Sequence, residues 1–360
     1  MTSRALLPFA MLTALALAAC PGTTPTPVTG DDGGSDGASD AGAGHWQTVL
    51  QKLDGTLLSV WGTSARDVYS VGGPHGNAGF QALVMHFDGT TWRRLDAGNT
   101  DTYWWVHGSG RADVWMTGEN GRISHWDGAA FKHYASGTTA TIFGVWAASP
   151  TDAWAVGGTP EATTGQPNDV LLHFDGTAWS PSPLPKALGR TYFKVWGSGA
   201  DDVYVVGEAG TIWHRKGGAW TLASEPPVAH GNLLTVHGCA AGDVYAVGSR
   251  DVLHYDGTAW KAEAVTLLND VNGVSCGGSA SADRVLIVGS GGLKQRREGG
   301  AWQDDFGTEP FKDLHGAWVD PSGGMWAAGG DFVSQPQPNV TRAGVLAHFG
   351  PVDVATAIAP

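Results

Sequence analysis

The chain contains 360 residues, of which 54 are glycine and 17 are tryptophan, and only 15% are charged. A chain of this length can hold two average domains or one large all-β propeller or barrel, and the high glycine content predicts many tight turns. The 34 acidic residues outnumber the 21 basic ones, and the formal net charge of −13 repels phosphate backbones and anionic lipid headgroups. Nucleic acid is therefore excluded as an expected partner.

The first twenty residues have the pattern of an export signal. Arg4 precedes an apolar run from Ala5 to Ala19, which is too short to span a bilayer comfortably. The run closes with the letters LAAC and resembles a bacterial lipoprotein signal, which implies that residues 1–19 are a signal peptide and that Cys20 is lipidated. An ordinary secretory signal with a chance cysteine is the alternative.

A tether is expected next. Residues 20–44 are rich in Gly, Asp, Thr and Pro, with Val28 as the single large apolar residue, so this segment cannot bury enough surface to fold. The lipid on Cys20 would attach the protein to a membrane of the cell envelope. Pro21 is not the aspartate associated with inner-membrane retention, so the outer membrane is the expected location. The side that the domain faces is left open.

Seven copies of one repeat occupy most of the remaining chain. The phrase LLSVWGTSARDVYSVGG begins at Leu57, returns four more times with small changes, and is followed by two degenerate copies. Its anchor position recurs every 38 to 50 residues, a period typical of four-stranded propeller blades. The anchor residues are Trp61, His107, Trp146, Trp196, His237, Ser275 and Trp318.

Each repeat divides into four strand-length pieces with alternating apolar residues. In the first repeat, ALVMHF and TWRRL flank Asp88-Gly89, a dipeptide that favours a type I′ hairpin turn with positive φ at both central residues. Seven such units predict an all-β, seven-bladed β-propeller with four-stranded blades over residues 45–350, followed by a C-terminal tail at 351–360. We expect this protein to be a monomer.

The seventh repeat lacks a fourth strand of its own. GVLAHFG supplies its third strand, and the chain then continues as PVDVATAIAP without an aromatic residue. HWQTVL near the N-terminus carries the missing aromatic residue, Trp46, and is predicted to pair beside GVLAHF as the outermost strand of the last blade. Both ends of the domain would then contribute to one blade, which removes an exposed sheet edge.

The repeat phrases carry a family resemblance. VWG, DVYSVGG and HFDGTTW resemble the repeats of propeller lipoproteins from Gram-negative bacteria, and that group implies the fold but no common activity. Glycine pairs such as Gly72-Gly73 are distantly similar to kelch repeats. Asp88, Gly89, Thr91 and Trp92 are also distantly similar to the Asp-box of sialidases. The initial serine and the usual Asp-Gly spacing of the Asp-box are missing here. The catalytic sets of sialidases and kelch-type copper oxidases are not recognisable, so no cofactor is expected.

Ligands of propellers usually bind on the face that carries the fourth-to-first and second-to-third connections. Three second-to-third connections are long, at residues 72–81, 157–169 and 329–344, and long loops on a rigid scaffold often carry function. The candidate ligand surface consists of His75, Phe80, Trp105, Asp331 and Phe332. Trp105 begins a channel-lining strand and is either an exposed platform for a sugar or peptide or a filler of the space beside smaller neighbours.

Three other features are interpreted as structural. GVSCG around Ser275 matches the nucleophile elbow G-x-S-x-G, but no helix follows it, so the match is attributed to chance. Cys239 and Cys276 follow the first strands of neighbouring blades and are either bonded to each other or free and buried. Six histidines share one third-strand position in different blades, cannot converge on one metal, and are predicted to make structural hydrogen bonds: His86, His125, His173, His214, His254 and His348.

The resulting hypothesis is a lipid-anchored, extracytoplasmic propeller that binds a protein or glycan partner through its loop face and is not an enzyme. One alternative is a polysaccharide-active enzyme of glycoside hydrolase or lyase type, with its acids in the long loops at Glu161, Asp169 or Asp331. The other alternative is a structural surface lipoprotein without a small ligand. Neither a metal nor a cofactor is expected.

Overall fold

The computed structural model describes residues 44–73, 82–160, 167–223, 228–277, 284–331 and 343–350, together with Val354 and Ile358. Within these residues the chain forms 28 strands in seven antiparallel sheets of four strands each. The first strands of neighbouring sheets contact each other around the whole set, so the sheets are the blades of a closed ring with the first strands innermost. The predicted seven-bladed, all-β propeller is confirmed.

The strands follow the chain from the inside of each blade to its outside. Strand β1 (Trp46–Leu53) belongs to blade seven. Blade one contains β2 (Thr56–Ser64), β3 (Asp67–Gly73), β4 (Leu83–Phe87) and β5 (Trp92–Arg94). Blade two contains β6 (Tyr103–Gly110), β7 (Asp113–Gly118), β8 (Ile123–Trp126) and β9 (Phe131–Tyr134). Blade three contains β10 (Thr141–Ser149), β11 (Asp152–Gly158), β12 (Val170–Phe174) and β13 (Trp179–Pro181).

Blade four contains β14 (Tyr192–Gly199), β15 (Asp202–Gly207), β16 (Ile212–Lys216) and β17 (Ala219–Leu222). Blade five contains β18 (Thr235–Ala240), β19 (Asp243–Gly248), β20 (Asp251–Tyr255) and β21 (Trp260–Ala262). Blade six contains β22 (Val271–Gly277), β23 (Arg284–Gly289), β24 (Lys294–Glu298) and β25 (Ala301–Asp304). Blade seven contains β26 (Asp313–Val319), β27 (Met325–Gly330), β28 (Gly344–Phe349) and β1. Short 3-10 turns occupy Glu119–Gly121, Glu208–Gly210 and Ser290–Gly292.

The ring is closed by its N-terminal strand. Strand β1 pairs antiparallel with β28, so that Trp46 lies opposite Phe349 and Gln47 lies opposite His348. The indole N–H of Trp46 also donates to a carboxylate oxygen of Asp305 in blade six at 2.8 Å. The predicted closure is confirmed, and the closing strand is held by two blades at once.

The Asp-Gly hairpins form where the sequence predicts them, but the type I′ assignment is wrong. Gly89 has a φ of +97°, whereas Asp88 is not among the positive-φ residues. The Asp88 carboxylate instead accepts the amide N–H groups of Thr90 and Thr91, both at 3.0 Å, and so holds the turn from its first position. Two consecutive positive φ angles occur in a Gly-Gly turn, +59° at Gly217 and +80° at Gly218.

The hydrophobic core lies between the blades. Among the described residues, six clusters of buried apolar side chains each join residues of neighbouring blades. Side chains alternate across a sheet, so successive residues of a second strand pack on the two different neighbouring blades. In blade three, Ala155 packs toward blade two and Val156 packs toward blade four. Two residues beyond Gly350 also contact the propeller, since Val354 is buried in the cluster between blades seven and one and Ile358 bridges to Trp92.

The anchor residue of each blade packs on the first strand of the next blade. Where the anchor is tryptophan, its ring fills the space that a Cβ would need, and the next blade has glycine there: Trp318 on Gly62, Trp61 on Gly108, Trp146 on Gly197 and Trp196 on Gly238. Where the anchor is smaller, it accepts the N–H of a residue with a side chain: His107 from Ala147, His237 from Cys276 and Ser275 from Val319. The tryptophan and the glycine of one VWG phrase therefore have different partners. The tryptophan packs on the glycine of the next blade.

Candidate functional site

A β-bulge interrupts the inner strands at the same place in the ring. In β6, for example, Tyr103 pairs with Gly118 and Trp105 pairs with Thr117, so Trp104 is the extra residue of the bulge. A bulge of this kind re-aims one side chain. The bulged residues are Leu58, Trp104, Phe143, Phe193, Asn272 and His315. Leu234, just before β18, occupies the equivalent place in blade five.

Four of these side chains form a continuous row of rings, which we call the channel collar: His315, Trp104, Phe143 and Phe193. The ring centroids of Trp104 and Phe143 are 5.0 Å apart, and those of Phe143 and Phe193 are 5.5 Å apart, both in edge-to-face geometry. Trp104 also meets His315 at 6.0 Å. The collar therefore joins blades seven, two, three and four across the axis of the ring.

The channel collar lines a cavity of about 390 Å³, which we call the collar pocket. The remaining lining residues are Glu119, Thr141, Pro160, Lys194 and Leu234. Glu119 and Pro160 follow second strands, and the collar residues lie at the beginnings of first strands, so the pocket opens on the face that carries the long loops. This is the face on which the sequence predicts a ligand surface.

Lys194 is the basic residue in the lining of the collar pocket. Its side chain is 3% exposed, and its Nζ donates to the carbonyl oxygen of Phe143 at 2.9 Å and lies 4.3 Å from the centroid of the Trp105 ring. Burial lowers the pKa of Lys194 to about 7. A buried amine of this kind is uncommon, because taking a charge out of water is costly.

Of the predicted ligand residues, the structure describes Trp105 and Asp331, which belong to blades two and seven. Trp105 packs against Lys194 and the cluster between blades two and three, and it is Trp104 that enters the pocket. Asp331 follows β27 and pairs with Lys312 at 2.6 Å, beside a second cavity of about 500 Å³ between blades six and seven. Cys20, His75, Phe80 and Phe332 lie outside the described residues.

Of the acids proposed for an enzyme site, the structure describes Asp169 and Asp331, which lie next to strands of different blades. Asp169 accepts the backbone N–H of Gly189 and the hydroxyl of Tyr192, each at 2.6 Å, and so holds the connection between blades three and four. Glu161 lies outside the described residues. In the part of the chain that the structure describes, no group of three or more His, Cys, Asp or Glu side chains is arranged to hold a metal ion. No helix there is long and apolar enough to cross a membrane.

The cysteines and the elbow-like serine have structural surroundings. Cys239 and Cys276 are bonded to each other, with Cα atoms 5.1 Å apart, and join the first strands of blades five and six. Ser275 is 1% exposed, and its hydroxyl oxygen accepts the N–H of Val319 at 3.0 Å. A hydroxyl in this position packs blade six on blade seven and is not accessible to a substrate.

Five of the six third-strand histidines make the predicted structural hydrogen bonds. Each ring binds the aspartate that opens the second strand of its blade, as in the pair His125 and Asp113 at 2.7 Å, and stacks near the aromatic residue two positions further on. The other four are His86, His173, His214 and His254. His348 is the exception, because its ring lies 3.9 Å from Asp320.

The sequence contains a signal for the channel collar that the anchor alignment did not use. The position three residues before the anchor reads Leu, Trp, Phe, Phe, Leu, Asn and His in the seven repeats. Most side chains at this position are large, whereas the position two residues before the anchor varies and includes Ser, Gly, Lys and Thr. This difference indicates that Trp104, not Trp105, is the ring in the channel. Alternation alone could not indicate it, since a bulge shifts the side-chain period by one.

Comparisons with known proteins give the fold and no family. No protein-family model and no curated protein matches the chain. Among solved structures, it is similar to a streptogramin B lyase, with a TM-score of 0.66 and 13% identity over 84% of this chain and 97% of that one. It is also similar to YCF48 bound to D1 peptide, with a TM-score of 0.60 and 15% identity over 84% of this chain and 96% of that one. The WD40 propeller domain of Doa1 gives a TM-score of 0.61 and 8% identity over 84% and 97%.

Identities this low carry the architecture alone. The three similar structures and the sheet topology agree that the chain is a β-propeller of seven four-stranded blades, a fold that commonly serves as a binding or assembly module. The more specific resemblance to repeat lipoproteins of Gram-negative bacteria stays a prediction.

Proposed function

We propose that the protein is a lipid-anchored, extracytoplasmic propeller that binds a protein partner, with an apolar group of the partner seated in the collar pocket. The observation that supports this most is the pocket itself, which is lined by rings from four different blades. The blades hold the walls of the pocket in place before a ligand binds. Little binding free energy is therefore spent on ordering the side chains of the pocket.

The chemistry of the collar pocket favours an apolar group over a sugar. Sugar hydroxyls need several free polar side chains, whereas the lining of the collar pocket is mostly apolar. The Glu119 carboxylate in that lining already accepts the N–H of Thr102 at 3.2 Å. YCF48 bound to D1 peptide provides a precedent for peptide binding by a propeller of this fold.

We propose that the protein acts by binding and not by catalysis. Glycosidic cleavage needs two carboxylates within about 5 to 10 Å of each other. Glu119 is the single carboxylate among the described residues that line the collar pocket, and it is hydrogen-bonded to the backbone. The similarity to a streptogramin B lyase keeps a lyase as the alternative to be tested.

The anchor part of the proposal rests on the N-terminal sequence. LAAC at Leu17–Cys20 supplies the lipidation signal, and residues 21–44 supply a polar tether between the lipid and β1. Metabolic labelling with an alkyne fatty acid is the test: the wild-type protein should become labelled and a Cys20→Ala variant should not. If neither protein became labelled, the proposed lipid anchor would be wrong, and the expected outer-membrane location would lose its support.

The partner is tested by crosslinking in intact cells followed by affinity purification of the tagged full-length protein. A Trp104→Ala, Phe193→Ala variant removes two collar rings, and we expect it to lose a partner that the wild type recovers. The matched control is Phe311→Ala, which removes an aromatic side chain that is 58% exposed and lies beside the second cavity. Loss of the partner by the control alone would place the binding site between blades six and seven instead.

A further inference from the structure

Lys194 is a buried amine without a carboxylate partner among the described residues. Its interactions there are one hydrogen bond to a carbonyl oxygen and one contact with the face of an indole ring. Burial is the cause that lowers its pKa, and no carboxylate of the described chain opposes that effect. A solvated surface position would carry the same charge without this cost.

Lys294 shows what a structural buried lysine looks like in the same molecule. Its Nζ donates to three carbonyl oxygens, those of Gly292, Thr308 and Pro310, at 2.9 to 3.1 Å. These use all three N–H groups of an ammonium, and Asp305 and Asp304 partly oppose the effect of burial on its pKa. Lys194 has one such carbonyl partner, and it belongs to the lining of the collar pocket.

We propose that the collar pocket is a receptor for an apolar carboxylate, whose charge pairs with the Lys194 ammonium and whose carbon body is covered by the channel collar. This inference rests on the proposed assignment of the collar pocket as the binding site. A single cation matches a monoanion, whereas a phosphate dianion needs several donors. The carboxylate belongs either to a free organic acid or to the C-terminus of a polypeptide with an apolar last residue, and the two sources are separated by the test.

The other titratable groups that face the pocket are few. Among the described residues of the lining they are Glu119, on the turn after β7, and His315 on β26. β6 and β10 contribute Trp104, Thr141 and Phe143 to the lining, none of which titrates in the neutral range. In this proposal Lys194 is the group that pairs with the carboxylate, and with a pKa of about 7 in the free pocket it takes up a proton when the ligand binds above pH 7.

The test is calorimetric titration of the full-length protein in detergent with four probes. These are 3-phenylpropionate, its amide, and a tetrapeptide ending in phenylalanine as the free acid and as the amide. At pH 6.5 we expect each acid to bind at least tenfold more tightly than its amide, and the acid affinity to fall about tenfold per pH unit above pH 7.5. Tighter binding of the peptide acid than of phenylpropionate identifies a chain end as the source, and the reverse order identifies a free acid.

Two variants of equal charge change make the test specific. Lys194→Met should bind acid and amide equally, while Lys312→Met, which alters an exposed lysine on the same face, should keep the wild-type preference. Titration of the wild type in two buffers of different ionisation enthalpy should show proton uptake at pH 8, a result that needs no variant to fold.

Equal affinity of acids and amides for the wild type, an unchanged preference in Lys194→Met, or absence of proton uptake would each overturn the carboxylate assignment. The proposed function is tested independently of the carboxylate assignment. A partner that is lost by the Trp104→Ala, Phe193→Ala variant but retained by Lys194→Met would leave the binding function in place and remove the role of Lys194.

Discussion

At the scale of single residues, the two anchor histidines differ from those of the third strands. Neither His107 nor His237 hydrogen-bonds to a carboxylate among the described residues, and each accepts a backbone N–H at Nδ1. Burial lowers the pKa of His107 from 6.5 to about 3 and that of His237 to about 4. The folded chain therefore keeps both rings neutral at pH values where an unfolded chain protonates them.

The first prediction is a loss of stability in mild acid. Between about pH 4 and 6.5 the unfolded state binds more protons than the folded state, so the free energy of unfolding falls as the pH falls through this window. We expect each histidine to cost about 1 to 2 kcal/mol at pH 5 relative to pH 7.5. Urea unfolding at several pH values measures this. A His107→Gln, His237→Gln variant keeps both acceptors and should lose much of the pH dependence; an unchanged dependence would contradict the explanation.

The second prediction compares the two buried lysines. Lys194→Met removes a cation with one carbonyl partner and should leave the free energy of unfolding unchanged or raise it, because burying a methionine is less costly than burying an unpaired charge. Lys294→Met leaves three carbonyl oxygens without their donor and should lower the stability by about 2 to 4 kcal/mol. Denaturant unfolding of the two variants measures the difference. Equal destabilisation by both would mean that Lys194 is structural.

At the scale of strands and blades, the contact between a tryptophan and the glycine of the next blade explains the repeat sequence. A Cβ at Gly238 would overlap the six-membered ring of Trp196. The native pair of His107 and Ala147 shows that a smaller anchor leaves room for a methyl group. The anchor and its opposite residue are therefore expected to vary together, although they lie about forty residues apart in the sequence.

The third prediction tests this coupling with a double-mutant cycle. Gly238→Ala should destabilise the wild type by about 1 to 3 kcal/mol through overpacking. In a Trp196→His background the same change should cost much less, giving a coupling energy of at least 1 kcal/mol. Denaturant unfolding of the four proteins provides the numbers. Additive effects would show that glycine is needed at this position for its backbone alone.

The candidate site was less predictable than the blades that carry it, for a reason that belongs to this scale. Period-two alternation fixed which residues of each strand face a neighbouring blade, as at Ala155 and Val156. The site depends on bulges, where the alternation breaks, so Trp105 was selected and Trp104 was found in the pocket. Lys194 gave no sequence signal, because its burial depends on Phe143 and Trp105 from two other blades.

At the scale of the whole molecule, the repeats made the fold predictable. Seven copies with hairpin turns between short strands specify the blade count, and the incomplete last copy specifies how the ring closes. The collar pocket exists only in the closed ring, since blades seven and two meet there through His315 and Trp104. Stability of the closure and integrity of the pocket are therefore linked.

The fourth prediction tests that link at the closing strand. Trp46 lies opposite Phe349 in blade seven as Trp179 lies opposite Phe174 in blade three. Strand β13 is preceded and followed by strands of the ring, whereas β1 is the first strand that the structure describes. Trp46→Ala removes the hydrogen bond to Asp305 and should let β1 detach, so that amide hydrogen exchange in β28 accelerates before the molecule unfolds. Trp179→Ala should lower overall stability without selective exchange in its own blade. Equally selective local exchange in both variants would contradict the prediction, because a fourth strand that continues into the ring at both ends would then detach as readily as β1.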